Sequence, residues 1–126
     1  MIKGKKVLGI IVARGGSSRL PKKNLLKLGS NTLLEHTIIE AKKSKFIDNI
    51  ICSTDDKDIK TNAIKNDCPV PFLRPKYLAS HKAQTKDLIE YISKKVDYHD
   101  YLIILQPTSP LRISEDIDNA LTLCHK

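Results

Sequence analysis

Apolar runs alternate with amphipathic stretches along this chain, and the alternation predicts its elements. Val7–Ala13 is apolar throughout and carries no charge, the pattern of a strand buried on both faces. After a Gly29-Ser30-Asn31 turn, Thr32 and Glu35 form a T-x-x-E capping box. Leu34, Ile38 and Ala41 follow at helical spacing, which predicts an amphipathic helix over Leu33–Lys43. Asn49–Thr54 reads as a second buried strand and Lys57–Asn66 as a second helix, with Ile59, Ala63 and Ile64 inward. Val70–Leu73 reads as a third strand. Leu88, Ile89, Ile92 and Val96 mark a third helix, and Tyr101–Leu105 a fourth strand. Ser114 is placed as the cap of a last helix with Ile117, Ala120, Leu121 and Cys124 in one stripe. Strand and helix alternating four times predict an α/β fold, a doubly wound and mostly parallel sheet.

In such a sheet ligands bind in the crevice at the carboxyl ends of the strands. Every chemically rich segment here directly follows a predicted strand: ARGGSSRLPKKN, STDD, LRP with its long loop, and LQPTSPLR. The first carries the clearest chemistry. Gly15 and Gly16 let the backbone turn and approach a ligand, while the amides, hydroxyls and cations that follow form a cradle for a polyphosphate. Neither GxGxxG nor GxxxxGK[ST] occurs there, so the dinucleotide and Walker readings fail.

Composition narrows the classes. The 126 residues are 40% hydrophobic, enough for one globular domain, and no apolar run is long enough to span a membrane. No cleavable signal is read at the start, and Cys52, Cys68 and Cys124 form neither a zinc pattern nor a disulfide framework, so the expected setting is cytoplasmic with reduced thiols. A net charge of +8 suits a polyanionic ligand. The lysines are scattered and aromatics are 5%, without the interleaving that single-stranded nucleic acid requires, so neither nucleic acid nor membrane is the expected partner. His36 has no companion at metal spacing and reads as structural. Asp55 and Asp56 could hold a metal or ribose, but a helix follows at once and an N-cap pair is the simpler reading.

The segments A-R-G-G-S-x-R-L-P-x-K-N, S-T-D-D, Arg74-Pro75 with its loop, and LQPTSPLR resemble, in order, the acylneuraminate cytidylyltransferases (CMP-sialic acid synthetases) over essentially the whole chain. The resemblance implies a Rossmann-like nucleotidyltransferase fold. It implies that CTP and a sialic-type nine-carbon 2-keto acid sugar become CMP-sugar and pyrophosphate with Mg2+, in surface polysaccharide biosynthesis. Arg14 and Lys23 would carry the phosphates and the catalysis. Ala13, Gly15, Gly16, Ser17, Arg19 and Asn24 would complete the nucleotide loop. Arg74, Ala83 and Thr85 would frame cytosine, and Asn24 with Gln106 would meet the sugar.

Three departures qualify it. Ser18 stands where many members carry lysine, with Arg19 one place later. Ser-x-Arg-Leu-Pro is shared with the Kdo (3-deoxy-octulosonate) cytidylyltransferases, yet Gln106-Pro107-Thr108 lacks their acidic residue, which argues against Kdo. The loop after Arg74 carries the unusual pair His81-Lys82. Finally, family chains continue for roughly as long again, and that half holds the magnesium-binding aspartates and most of the homodimer contact. Residues 1–126 therefore resemble the nucleotide-binding half, a truncated form with no metal ligands of its own. A non-catalytic nucleotide-binding fragment and a basic RNA-binding domain are the alternative readings.

Overall fold

The computed structural model describes residues 1–2, 4–13, 25–71, 73, 85–96, 98–107 and 114–125. Its centre is β1 (Val7–Val12), whose two neighbours are β4 (Asn49–Ser53) and β5 (Tyr101–Leu105), both parallel to it. A two-residue hairpin, β2 (Lys27–Leu28) with β3 (Asn31–Thr32), turns through Gly29 at φ 74°, a left-handed value that glycine adopts without strain. The chain leaves β1 toward β4 on one side and later returns to β5 on the other. That reversal about β1 makes the sheet doubly wound, as the alternation predicts.

Register assigns the faces. Ile10 lies level with Ile51 and Ile104, and Ile11 level with Cys52 and Leu105. Val7, Ile11, Cys52 and Leu105 face three helices: α1 (Leu33–Lys43), α2 (Lys57–Lys65) and α4 (Ser114–His125). Leu34, Ile38, Ile59 and Ala63 are fully buried in that layer, joined by Ala41, Ile117 and Leu121. Leu8, Ile10 and Ile51 face one helix, α3 (Thr85–Ser93), through Leu88 and Ile92. Gly9 is a close approach: a Cβ there would stand 3.3 Å from Ile47 Cδ1 and Ile50 Cγ2.

Local signals decide the helix ends. Thr32 caps α1 with the full box: its hydroxyl accepts from Glu35 N at 3.0 Å, and Glu35 Oε1 accepts from Thr32 N at 2.7 Å. Asp56 caps α2, accepting from Asp58 N and Ile59 N at 2.8 and 3.0 Å, an arrangement worth about 1 kcal/mol. Cys52 and Cys68 are buried free thiols, and burial pushes Cys68 up to about 12 against the opposing charge of Lys42.

Several expectations need correction. Of the expected strand Val70–Leu73, Phe72 lies outside the described residues; around it Cys52 N donates to Pro69 O at 2.8 Å and Thr54 makes a parallel bridge to Leu73, while Val70 and Pro71 belong to no strand. Ile64 is 51% exposed, because Ile59 and Ala63 alone define the inward stripe of α2. Ala120 is likewise exposed on α4, where Ile117 and Leu121 carry the packing, and the Cys124 side chain lies outside the described residues. Ser114 opens α4 as its first residue, and the N–H it offers is taken by another helix. The third helix ends at Ser93, with Val96 in the turn that follows.

Candidate functional site

The carboxyl rim of the sheet gathers the exits of β1, β4 and β5. Ala13, fully buried, donates its N–H to Ser53 O at 3.0 Å and so ties the end of β1 to the end of β4. Thr54, also fully buried, accepts from Asp56 N at 3.1 Å through its hydroxyl. That bond turns the chain out of β4 and leaves Asp55 half-buried at the rim, while Asp56 is committed to capping α2. Of the acidic pair, then, one residue is the cap and the other is not. On the opposite side Leu105 pairs with Ile11, so Gln106 follows level with Val12. Gln106 is exposed and Pro107 behind it is buried. Thr85 opens α3 on the other face of the sheet.

Thus Ala13, Asp55 and Gln106 are brought to one rim, on both sides of the reversal in strand order. The candidates Arg14, Gly15, Gly16, Ser17, Arg19, Lys23, Asn24, Arg74 and Ala83 lie outside the described residues. His36 is held in the scaffold, its Nε2 2.7 Å from Leu28 O, which fixes the hairpin to α1. No group of three or more His, Cys, Asp or Glu side chains able to hold a metal occurs among the described residues. With Asp56 spent on its helix, the described rim does not fit a protein-built magnesium site.

The two larger surface clefts among the described residues lie away from this rim. One, of about 320 Å3, is lined by residues that include Lys42, Asp48, Asn49 and Asp67, and the other, of about 440 Å3, by residues that include Lys43, Lys45, Ser114 and Asp118. Both sit by the carboxyl end of α1 and include none of the candidate residues.

Apart from Glu35 in its capping box, sequence reasoning did not single out the carboxylates that organise the scaffold. Glu35 Oε2 accepts from Asn66 Nδ2 at 3.0 Å, linking α1 to α2. The Thr32 backbone N–H, foremost, holds the Glu35 carboxyl below its ordinary range despite some desolvation. Asp48 accepts from Val7 N at 2.8 Å, Glu40 from Ser114 N at 3.0 Å, and Asp118 from Lys45 N at 3.1 Å. Apart from Thr32, each partner is distant in sequence, so no local pattern could have revealed these bonds.

The described exits of β1, β4 and β5 meet at one rim on both sides of a reversal in strand order, the arrangement of a doubly wound α/β domain. The chain belongs to the cytidylyltransferase family, whose model matches residues 8–126. It is 37% identical to the CMP-N,N'-diacetyllegionaminic acid synthase of Legionella pneumophila, over 96% of this chain and 53% of that protein. It is 38% identical to an N-acylneuraminate cytidylyltransferase of Escherichia coli, over 94% of this chain and 28% of that protein. Among solved structures it resembles CMP:2-keto-3-deoxy-manno-octonic acid synthetase complexed with CTP. There the TM-score is 0.81 at 25% identity, covering 95% of this chain and 47% of that one. The chain spans about half the length of the legionaminic acid synthase and less of the Escherichia coli protein.

Proposed function

We propose that this chain is the nucleotide-binding half of a cytoplasmic cytidylyltransferase, active as a homodimer at full length. Its substrates are CTP and a sialic-type nine-carbon 2-keto acid sugar, and its products CMP-sugar and pyrophosphate. The observation that carries the reading is the gathering of the strand exits at Ala13, Asp55 and Gln106 on one rim, at the strand ends whose following segments match the family. The identity to enzymes of legionaminic and N-acylneuraminic acid supports the choice of sugar class. The likeness to a CTP-bound synthetase supports the nucleotide.

In this reaction the sugar's anomeric oxygen attacks the α-phosphorus of CTP in line. The new P–O bond forms as the bond to the β-phosphate oxygen breaks. Pyrophosphate leaves with the displaced electron pair and the anomeric hydroxyl gives up its proton. Catalysis rests on positioning and on neutralising the triphosphate. Arg14 and Lys23 supply that charge, with Arg19 beside them, and the Gly15–Ser17 amides add a cradle. Asn24 and Gln106 hold the sugar, while Arg74, Ala83 and Thr85 frame cytosine. Magnesium, if bound, would supply further charge neutralisation at the phosphates.

Nucleotide choice is the test. CTP should raise the melting temperature well above any shift produced by ATP or GTP, since stabilisation reaches ~2.7 kcal/mol at a hundredfold excess over Kd. Equal shifts by all three would reduce the site to phosphate recognition. Incubated with CTP, magnesium and N-acetylneuraminic acid, the 126-residue chain alone should release no pyrophosphate above background. Ordinary turnover would require a metal site built from residues assigned here to structure.

A further inference from the structure

The parallel sheet puts the entries of β1, β4 and β5 at one end, opposite the candidate site. Lysines mark each entry: Lys5 and Lys6 before β1, Lys43 and Lys45 before β4, Lys94 and Lys95 before β5, all exposed. In sequence, the entry segments 1–6, 42–49 and 94–100 hold eight lysines and three aspartates, so five of the eight net positive charges come from them. Scatter along the chain spoke against a membrane partner, and the fold undoes that scatter. Hydrogen bonds tie the entries together. Asp100 accepts from Lys6 N at 2.8 Å, and the Met1 amine donates to Phe46 O and, at 2.8 Å, to Asp48 Oδ1. Both aspartates are thereby spent on neighbouring donors.

Helix-dipole complementarity accounts for Lys43, in the last turn of α1, and for Lys94 and Lys95, just past α3. It does not account for Lys5, Lys6 and Lys45, which belong to no helix. Lys43 Nζ lies 3.2 Å from Glu40, and Lys94 Nζ 4.0 Å from Glu90, both lysines on the exposed side of their pairs. Two apolar tips stand among these cations. Met1 is half-exposed, and Tyr98, just before β5, is 80% exposed, so little of its ring packs on the protein. A tyrosine, apolar in body and polar at the tip, suits the headgroup level of a bilayer. One tyrosine is not the row of stacking rings that single-stranded nucleic acid requires. We propose that this amino rim docks on a bilayer surface carrying anionic lipid headgroups, with the carboxyl rim facing away and open to solvent. Each lysine near such a surface strengthens binding roughly fivefold, over a range of about a Debye length.

Cosedimentation of the whole chain with vesicles tests the surface. Vesicles of phosphatidylcholine with one-third phosphatidylglycerol should retain the chain, vesicles of phosphatidylcholine alone should not, and retention should fall as salt rises. Two triple variants of equal net charge locate the contact. Lys5→Gln, Lys6→Gln and Lys45→Gln together, at the amino rim, should weaken binding roughly a hundredfold. Lys27→Gln, Lys57→Gln and Lys60→Gln together, on the hairpin and the start of α2, should stay within about threefold of the native chain. Should the rim variant fail to fold, Lys95→Gln replaces Lys45→Gln in it. Tyr98→Ser should weaken binding several-fold at physiological salt. Equal losses in the two triples would reduce the effect to overall charge and overturn the proposal. So would retention by neither vesicle, or displacement of the vesicles by CTP, which would place the lipid phosphates in the nucleotide loop. An RNA oligomer held more tightly than the vesicles, and released by the rim variant, would make the partner nucleic acid instead. A chain indifferent to CTP yet held by anionic vesicles through Lys5, Lys6 and Lys45 would refute the proposed function and uphold this one.

Discussion

The two rims of the sheet are built from similar residues and put to opposite use. At the amino rim the polar groups are closed on one another. Asp48 accepts from Val7 N and from the chain's amino terminus, Asp100 accepts from Lys6 N at 2.8 Å, and Asn49 Nδ2 lies 3.0 Å from His99 Nε2. Those contacts join the segments entering all three parallel strands. Among the described residues of the carboxyl rim, the scaffold bonds at Ala13 and Thr54 lie deep, while Gln106 is exposed. The difference teaches that a carboxylate in this fold is not by itself a sign of chemistry. Among the described residues, one rim is tied by side-chain carboxylates, and the other by a buried strand-end backbone bond and a buried hydroxyl.

The largest effect that would sharpen this contrast comes from the carboxyl rim. Arg14→Ala should cost roughly 1.5–3 kcal/mol of CTP binding, the scale of a charge-assisted bond, and leave ligand-free melting unchanged. An unfolded variant would make Arg14 part of the scaffold. Next, Asp48→Ala strips the acceptor from the part-buried Val7 N–H and should lose about 1–3 kcal/mol of stability in denaturant, with the CTP shift preserved. A loss of CTP response at constant stability would erase the distinction between the rims.

The smallest effect is in pH. Desolvation, the largest single influence on the Asp48 carboxyl, pushes it up, but bonds from the amino terminus and Val7 N outweigh it and hold it below 3.8. Its folded value being depressed, Asp48 contributes stability in full above the ordinary range and loses it as pH falls through the folded value. The stability difference between the native chain and Asp48→Asn should therefore shrink as pH drops below about 4, as followed by denaturant titration. A difference that stays flat to pH 2 would show that Asp48 is not held ionised by these partners.

What could be read in advance follows from the range of each interaction. The α1 boundaries and its capping box are local, set by residues three and four apart, and Leu33–Lys43 emerges as the pattern predicts. So does the Asp56 cap, though not the role of Asp55. The burial of β1 on both faces is legible from its unbroken apolar run. Val70–Leu73 shows the limit: its apolar character is that of a strand, yet Pro69 and Pro71 have no N–H to give to a ladder. Ile64 and Ala120 fall at the margins of their stripes, where a rotation of part of a turn decides exposure. Of the site, the strand exits could be placed from sequence because topology forces them to one rim. The Glu40–Ser114 and Asp48–Val7 bonds could not, since they join residues 74 and 41 apart.

The central position of β1 also has a consequence for how the chain is made. Its apolar sequence VLGIIV leaves the ribosome well before one of its two partners, β5. Lys6 and Asp100, which meet beside that pairing, are 94 residues apart. At roughly 5–20 residues per second, β1 waits on the order of 5–20 s with one hydrogen-bonding edge vacant. An uncharged, β-branched segment held open for that long is a template for pairing between nascent chains. Slower translation of residues 13–100 would therefore lower the soluble yield of this protein without altering a single contact in its folded state.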